Sequence, residues 1–165
     1  MIHIIPILIV VAMGTIVAFW AQIVDLFSQR IIPWVRVNIS PVVAEAIADV
    51  ISFADEKIVP ARKTLKASWK IFRETVLGTQ TTYTRVGPDR IRAHTAVVTR
   101  NLNGQNAISE MEEIVDWSNL PESIRSEMIR QNNNAARFDV HKAVCEKVIK
   151  VAKEKDLLEV LEMQN

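Results

Sequence analysis

The chain has 165 residues with 20 basic and 19 acidic side chains, so its net charge is close to zero. This length fits one domain of ordinary size. Cys145 is the only cysteine, which excludes an internal disulfide and therefore a small secreted domain held together by disulfides. Glycine occurs only four times and β-branched residues do not cluster in alternating runs, so the composition favours a mostly helical protein.

The first segment, Met1 to Val24, contains no Asp, Glu, Lys or Arg and consists mainly of large apolar residues. A helix rises about 1.5 Å per residue, so a helix of this length spans the roughly 30 Å hydrocarbon core of a bilayer. The segment lacks the basic residues that precede the apolar core of a cleaved signal peptide. We therefore expect a transmembrane anchor from Ile4 to Phe27. The alternative is a fully buried helix in a large soluble assembly.

Basic side chains follow the apolar segment. Arg30 and Arg36 lie close to its C-terminal end, and the positive-inside rule then places the C-terminal part of the chain in the cytoplasm. Within the segment, small residues recur on one helix face, a spacing that lets another membrane helix approach closely. The residues to which we assign this helix–helix packing are Gly14, Ala18, Ala21 and Gln22.

Two amphipathic helices of opposite charge are predicted next. Ser40 as N-cap and a proline in the first turn begin a helix from Pro41 to Val59 that has an acidic stripe. The second helix, from Ala61 to Leu77 with Gly78 as its stop, is strongly basic. The residues expected to contact a membrane surface or an acidic partner are Arg62, Lys63, Lys66, Trp69, Lys70 and Arg73.

The charge changes sign along the chain. Residues 57–100 contain ten basic and two acidic side chains, whereas residues 101–136 contain two basic and six acidic ones. The basic zone can lie on anionic lipid headgroups, pair with acidic surfaces of neighbouring copies, or form an ordinary solvated helix face. Nucleic acid is the least supported partner, because only Trp69 and Tyr83 are available to stack on bases.

The segments after Gly78 have mixed signals. Residues 80–85 are rich in Thr and are expected to form a loop or a short extended piece. Residues 90–99 suit a helix or a strand, and the flanking residues 87–89 and Gly104 favour a helix. Further helices are predicted over residues 107–117, from residues 119–121 to the Asn run at 132–134, and over Val140–Lys153 with Asp139 as N-cap.

Two groups of residues are candidates for chemistry. His141 and Cys145 lie four residues apart and share a helix face, but a zinc site needs about four ligands and the sequence offers no others nearby. The chain has no Gly-rich phosphate loop, nucleophile elbow or His-Glu-x-x-His motif, so we expect no enzyme, metal or cofactor. The second group is an acidic cluster, which we interpret as a solvated helix face that complements the basic zone. It consists of Glu110, Glu112, Glu113 and Asp116.

These observations predict a mainly α protein with an N-terminal single transmembrane helix, followed by amphipathic helices and a small helical domain. The expected division is an anchor at residues 1–29, juxtamembrane helices at 30–78 and a helical cytoplasmic domain at 79–165. The expected function is that of a non-enzymatic structural or scaffold subunit in an oligomeric membrane assembly. Its expected partners are the lipid bilayer and other copies or subunits. The alternative is a membrane-active effector that forms pores through its apolar N-terminal helix.

Overall fold

A sheet of four antiparallel strands, packed on its inner face against helices, forms the centre of the fold. This arrangement is seen in the computed structural model, which describes residues 7–8, 13–101, 103–120, 122–130 and 135–162. The protein is therefore a mixed α/β fold, and the prediction of a mainly α protein is wrong. Helices occupy the first part of the chain, and most of the strands follow them.

The N-terminal helices form one long helical segment. Helix α1 (Met13–Leu26) continues through a single π-helical turn (Phe27–Ile31) into α2 (Ile32–Asn38). The buried side chains recur at helical spacing, as expected for a helix that packs one face against a core. They are Trp20, Ile23, Phe27, Ile31 and Val35, with Ile32 beside them.

The expected transmembrane anchor is not found. No helix in the described ranges is both long and apolar enough to cross a membrane. Trp20 and Ile23 of α1 pack into the protein core, and the fold contains a sheet, so the all-α, single-pass description conflicts with the structure. The predicted span also includes residues 4–6 and 9–12, which lie outside the described residues.

Helices α3 (Pro41–Ala54) and α4 (Arg62–Thr75) pack against each other. The predicted N-cap of α3 is confirmed, because the Ser40 hydroxyl accepts hydrogen bonds from the N–H groups of Val42 and Val43 at 3.1 and 3.3 Å. Both helices therefore begin where local sequence signals place them, to within one residue.

Both helices end earlier than predicted. α3 stops at Ala54 rather than Val59, because Glu56 adopts the left-handed conformation with a φ of 59° and reverses the chain. α4 ends at Thr75, and the next residue already belongs to a strand. Gly78 therefore lies within that strand, beside a register shift, instead of stopping the helix.

The sheet has the spatial order β5-β2-β3-β4, and all neighbours in this order are antiparallel. A two-residue strand, β1 (Ile7–Leu8), adds to β5 in parallel. The register determines which side chains share a face: Tyr83 lies opposite Ala93, which in turn lies opposite Glu113. The four antiparallel strands are β2 (Val76–Arg85), β3 (Arg90–Arg100), β4 (Asn106–Asp116) and β5 (Ala135–Asp139).

Two segments predicted to be helical, residues 90–99 and 107–117, form strands instead. In β3, buried and more exposed residues alternate along the strand, and this period of two suits its β-branched Ile, Val and Thr residues. The alternation outweighs the capping signals that favoured a helix. β4 is an edge strand and is exposed along most of its length, so its Glu residues cost little there despite their low strand propensity. Residues 80–85, predicted as a loop or a short extended piece, belong to β2.

The chain crosses from β4 to β5 on the far side of β2 through a short 3-10 helix (Trp117–Asn119) and α5 (Glu122–Arg130). β5 leads without a loop into α6 (Val140–Glu154), and α7 (Leu158–Glu162) follows. The predicted N-cap of α6 is confirmed, since Asp139 Oδ1 accepts a hydrogen bond from the N–H of Lys142 at 2.9 Å. Helix α6 packs against α1, α3 and β2, and these contacts close the core.

Candidate ligand-binding cavity

A cavity of about 300 Å³ lies between the N-terminal helical segment and the inner face of the sheet. α1 and the π turn form one wall, and β2, β3 and β4 form the other. The crossover after β4 and the junction between β5 and α6 close one side. This size falls at the lower end of the range for small-molecule sites, which is about 300–1,000 Å³.

The sheet wall combines apolar surface with hydroxyl groups. Alternate residues of β2 and β3 face the cavity, because successive side chains of a strand point to opposite faces. Thr81 and Thr95 lie opposite each other in this wall, and their hydroxyl oxygens form a buried hydrogen bond of 2.8 Å. Ala93, Phe138 and Leu26 contribute apolar surface nearby. The wall therefore suits the apolar body of a small molecule and offers it hydroxyl groups.

Tyr83 also lines the cavity and is only 8 % exposed. Burial, with a smaller contribution from the negative charge of Glu113, raises the pKa of the Tyr83 phenol well above its usual range. The phenol is therefore neutral at physiological pH. None of the described residues makes a hydrogen bond with its hydroxyl. A phenol that lines a cavity and has no protein partner is available to a bound molecule.

Polar side chains surround the mouth of the cavity. Arg30 on the π turn and Glu113 on β4 form an ion pair across it, with 3.5 Å between Nη2 and Oε2. Both side chains remain about half exposed, so this pair adds little to stability. Gln22 donates a hydrogen bond from Nε2 to the backbone oxygen of Asn119 at 3.4 Å, which connects α1 to the crossover.

The π-helical turn lies directly at the cavity. A π turn has wider spacing than an α turn, so it changes which side chains face the core, and such turns are frequent at functional sites. Here Phe27 and Ile31 are buried in the core, while Gln29 and Arg30 line the cavity. The turn thus places polar side chains at the mouth without interrupting the helical segment.

The residues predicted to pack between membrane helices have different positions in the fold. Gly14 and Ala18 lie in α1, but their surroundings lie outside what the structure describes. Ala21 is exposed. Gln22 belongs to the rim of the cavity and contacts the backbone of Asn119.

The predicted basic contact residues all lie on α4. Arg62 pairs with Glu159 on α7 at 3.3 Å, and the Arg73 guanidinium lies 5.6 Å from the centre of the Trp69 ring. Trp69 itself is buried and stacks on Phe72. Among the described residues, no acidic side chain pairs with the lysines of this helix, which are Lys63, Lys66 and Lys70.

His141 and Cys145 lie side by side on α6, with 3.6 Å between Nε2 and Sγ. The imidazole ring stacks on Phe72 with 5.7 Å between the ring centres. Burial lowers the pKa of His141, although Asp139 opposes the shift, and burial raises the pKa of Cys145 to about 11. The neutral imidazole and the protonated thiol do not form the ion pair that an activated cysteine nucleophile requires.

The acidic cluster lies on a strand and not on a helix, so its pairing differs from the prediction. Glu110, Glu112 and Asp116 share the outer face of β4, and Glu113 lies on the inner face. Glu110 lies 3.6 Å from the Nε2 of His94 on β3. In the described part of the chain, no group of His, Cys, Asp and Glu residues has the arrangement of a metal site.

Sequence analysis does not identify Thr81, Tyr83 or Thr95 as site residues, because the cavity joins positions from Gln22 to Val140 that only the fold brings together. Side chains two residues apart on a strand share a face, but this relation applies only once β2 and β3 are known to be strands. No protein-family model matches the chain, and comparisons with curated proteins and with solved structures find no match either.

Proposed function

We propose that the protein is a non-enzymatic binding protein for a small organic molecule, held in the cavity between α1 and the sheet. The observation behind this proposal is the Tyr83 phenol, which lines the cavity, is only 8 % exposed and has no hydrogen-bond partner among the described residues. A ligand in the cavity can accept a hydrogen bond from this hydroxyl while its apolar body lies against the phenol ring.

The charge at the mouth favours a ligand with a positive group. The carboxylates at the mouth are those of Asp25 and Glu113, with Arg30 as the one basic residue of the lining. Arg30 pairs with Glu113, and Asp25 has no basic partner among the described residues. These features support a protonated amine attached to a compact apolar body. The amine lies at the mouth, and the body lies against the sheet wall.

The lining favours binding over catalysis. Neither a histidine nor the cysteine is among the residues that line the cavity. The raised pKa of Tyr83 keeps its proton in place at physiological pH, so this phenol is suited to donate a hydrogen bond and not to act as a general base. A non-enzymatic role is therefore the simpler proposal.

Calorimetric titration with naphthalene probes tests the proposal. Naphthylmethylamine, naphthol and naphthoate share one apolar body and carry a positive, a neutral and a negative group. We expect the amine to bind most tightly and the naphthoate least tightly. If none of the probes binds, the small-molecule function is contradicted. If all bind equally, only the charge preference is contradicted.

Two alanines on β3 provide matched variants for this titration. Ala93 faces the cavity, whereas Ala96 lies on the outer face of the same strand. Ala93→Phe fills part of the cavity, and we expect it to weaken binding of naphthylmethylamine by about tenfold or more. Ala96→Phe is expected to bind the amine like the unaltered protein. An equal loss in both variants contradicts the assignment of the site to the cavity.

A second candidate function is a structural subunit that associates with its own copies or with other proteins. The observation that favours it is the basic face of α4, where Lys63 and Lys70 are exposed and lack an acidic partner among the described residues. A charged surface of this kind steers association with acidic surfaces and sets their register. In a homo-oligomer, the acidic residues of a neighbouring copy supply the complement.

Sedimentation velocity tests the second candidate. We expect self-association at low ionic strength that is lost near 1 M salt, where the screening length falls to about 3 Å. The variant Lys63→Glu/Lys70→Glu is expected to stay monomeric at low salt. Lys153→Glu/Lys155→Glu makes the same change in net charge at the end of α6 and is expected to associate normally. A protein that is monomeric at low salt contradicts association between copies.

A further inference from the structure

The outer edge of β4 is unpaired. β4 is the last strand in the order β5-β2-β3-β4 and pairs with β3 along its full length of 11 residues. Within the described ranges, no strand pairs with its second side. Backbone N–H and C=O groups along that side therefore have no strand partner. Such a row is a template for the addition of another strand.

The outer face of β4 is exposed, and its inner face is only partly covered. On the outer face, Ile108 is 66 % exposed and Ile114 is 54 % exposed. On the inner face, Ser109, Met111 and Val115 are only partly covered. A long edge with exposed aliphatic side chains is unusual, because proteins generally shorten, bulge or cover such strands. A strand added at this edge covers the two isoleucines.

The charges on β4 oppose pairing with a second copy of itself. When two β4 strands pair antiparallel with Ile108 opposite Ile114, the Glu110 of each strand lies opposite the Glu112 of the other. Like charges directly opposite each other destabilise a pair of strands. A strand with positive side chains at those two positions makes the same backbone hydrogen bonds and has complementary charge.

We propose that the open edge of β4 binds an extended segment of another protein in which apolar, basic, basic and apolar residues occupy alternate positions. The apolar residues lie opposite Ile114 and Ile108, and the basic residues lie opposite Glu112 and Glu110, on the outer face of the sheet. Backbone hydrogen bonds supply affinity, and the alternate side chains supply specificity.

The two glutamates are accessible to such a partner. Both are exposed. Glu112 has no basic partner among the described residues, and Glu110 lies 3.6 Å from the partly buried His94. Lys or Arg side chains that extend from an added strand reach the same face, because side chains directly opposite on paired strands have Cβ atoms about 5 Å apart.

Fluorescence anisotropy with a labelled peptide tests this proposal. In the parent peptide, Val, Lys, Lys and Val alternate with Thr, and we expect saturable binding. Replacing both Lys with Glu is expected to weaken binding by about tenfold or more, and the protein variant Glu110→Lys/Glu112→Lys is expected to bind this Glu peptide and not the parent. Both glutamates are exposed, so the variant is expected to keep the far-UV circular dichroism spectrum of the unaltered protein.

Two outcomes of this experiment overturn the proposal. One is that the parent peptide does not bind. The other is that the Lys and Glu peptides bind the unaltered protein equally. The Ala93→Phe variant is expected to bind the parent peptide normally, because its change lies on the inner face of β3. A loss in that variant places the peptide in the cavity and overturns docking at the edge of β4.

N-methylated peptides separate strand pairing from simple charge attraction. Methylation at the Thr positions blocks the N–H groups along one edge of the peptide, and methylation at the Val and Lys positions blocks those along the other. A strand that adds to β4 uses only one of its edges. We therefore expect one methylated peptide to lose binding and the other to keep it. Equal affinity of the two methylated peptides overturns strand addition.

Discussion

The side-chain hydroxyls on the inner face of β2 have three different surroundings. Thr81 is paired with Thr95 at 2.8 Å, whereas the buried Oγ1 of Thr79 has no hydrogen-bond partner among the described residues. Tyr83 lines the cavity. These residues alternate along one strand, so they share its inner face. Thr81 has a hydrogen-bond partner in Thr95, Thr79 has none among the described residues, and Tyr83 is available to a ligand.

Replacement of Thr79 by Val removes the unpaired hydroxyl and keeps the shape of the side chain. We expect Thr79→Val to raise the free energy of unfolding by about 1 kcal/mol, because a buried unpaired hydroxyl costs about 1–3 kcal/mol. Thr81→Val breaks the pair with Thr95 and is expected to lower the free energy of unfolding by about 1 kcal/mol. Urea unfolding measures both. A destabilised Thr79→Val protein contradicts the absence of a partner for this hydroxyl.

Cys145 provides a test of burial on α6. Burial is the main reason why its pKa is raised from 9.0 to about 11. We expect the rate of alkylation by iodoacetamide to rise with pH through a midpoint near 11 in the folded protein and near 9 in denaturant. The folded thiol holds its proton more tightly, so its contribution to the free energy of unfolding is complete below pH 9 and is lost as the pH rises toward 11. A folded-state midpoint at or below 9 refutes this prediction.

At the scale of the elements, α3 and α6 end in the same way. The residue after each C-cap adopts the left-handed conformation, with a φ of 59° for Glu56 and 57° for Asp156. The N–H of this residue and that of the next one donate to carbonyls three and five residues earlier, which is the Schellman arrangement. Glycine is favoured at this position because other residues are strained there.

Asp156→Gly is expected to raise the free energy of unfolding by about 0.5–1 kcal/mol. Glycine relieves the left-handed strain, and the change also removes a negative charge from the C-terminal end of a helix. Glu56→Gly is the comparison: it relieves similar strain but loses the ion pair of Glu56 with Lys147 at 3.8 Å, so we expect a smaller gain. Thermal unfolding of both variants gives the answer, and a destabilised Asp156→Gly protein rules out strain at this helix end.

Local signals predicted the helices better than the sheet. The N-caps Ser40 and Asp139 make their hydrogen bonds within their own helical turn, so a short stretch of sequence contains the whole signal. The apolar residues of α4 also recur at helical spacing, and this pattern is likewise contained in one short stretch of sequence. In contrast, strand formation by β3 and β4 depends on their neighbours in the sheet. The Glu residues of β4, for example, are tolerated because this strand lies at an edge.

The cavity depends even more on distant contacts. The sequence places the polar Gln22 at the end of an apolar helix, but its contact with Asn119 joins residues that are 97 positions apart. From the sequence alone, Tyr83 is an aromatic residue available to stack on nucleic-acid bases. Its burial and its position at a cavity follow from the pairing of β2 with β3 and β5. No local pattern contains that information.

At the scale of the whole molecule, Trp20 and Lys147 connect three helices. Trp20 on α1 donates from Nε1 to Asp55 Oδ1 at 2.8 Å, beyond the end of α3. Lys147 on α6 donates to the backbone oxygen of Ala54 at 2.9 Å, and its Nζ lies 5.3 Å from the centre of the Trp20 ring. A cation at the C-terminal end of a helix is favourable. This cluster therefore holds α1 against the rest of the fold.

Trp20→Ala is expected to lower the free energy of unfolding by about 3 kcal/mol, because it removes a large buried side chain and leaves a cavity. Val37→Ala is the control, since Val37 is 84 % exposed and its truncation is expected to change stability by less than about 0.5 kcal/mol. Denaturant unfolding compares the two. If Trp20→Ala has no larger effect than the control, α1 does not pack against α3 and α6.

Two junctions between helix and strand contain no linker residue: α4 passes into β2 at Thr75–Val76, and β5 passes into α6 at Asp139–Val140. A loop can accommodate an inserted or deleted residue, but these junctions have no loop residue that could do so. One residue inserted after Thr75 would exchange the two faces of β2, so that Thr81 and Tyr83 turn toward solvent and their neighbours turn inward. Evolution can therefore vary the composition of this connection far more easily than its length.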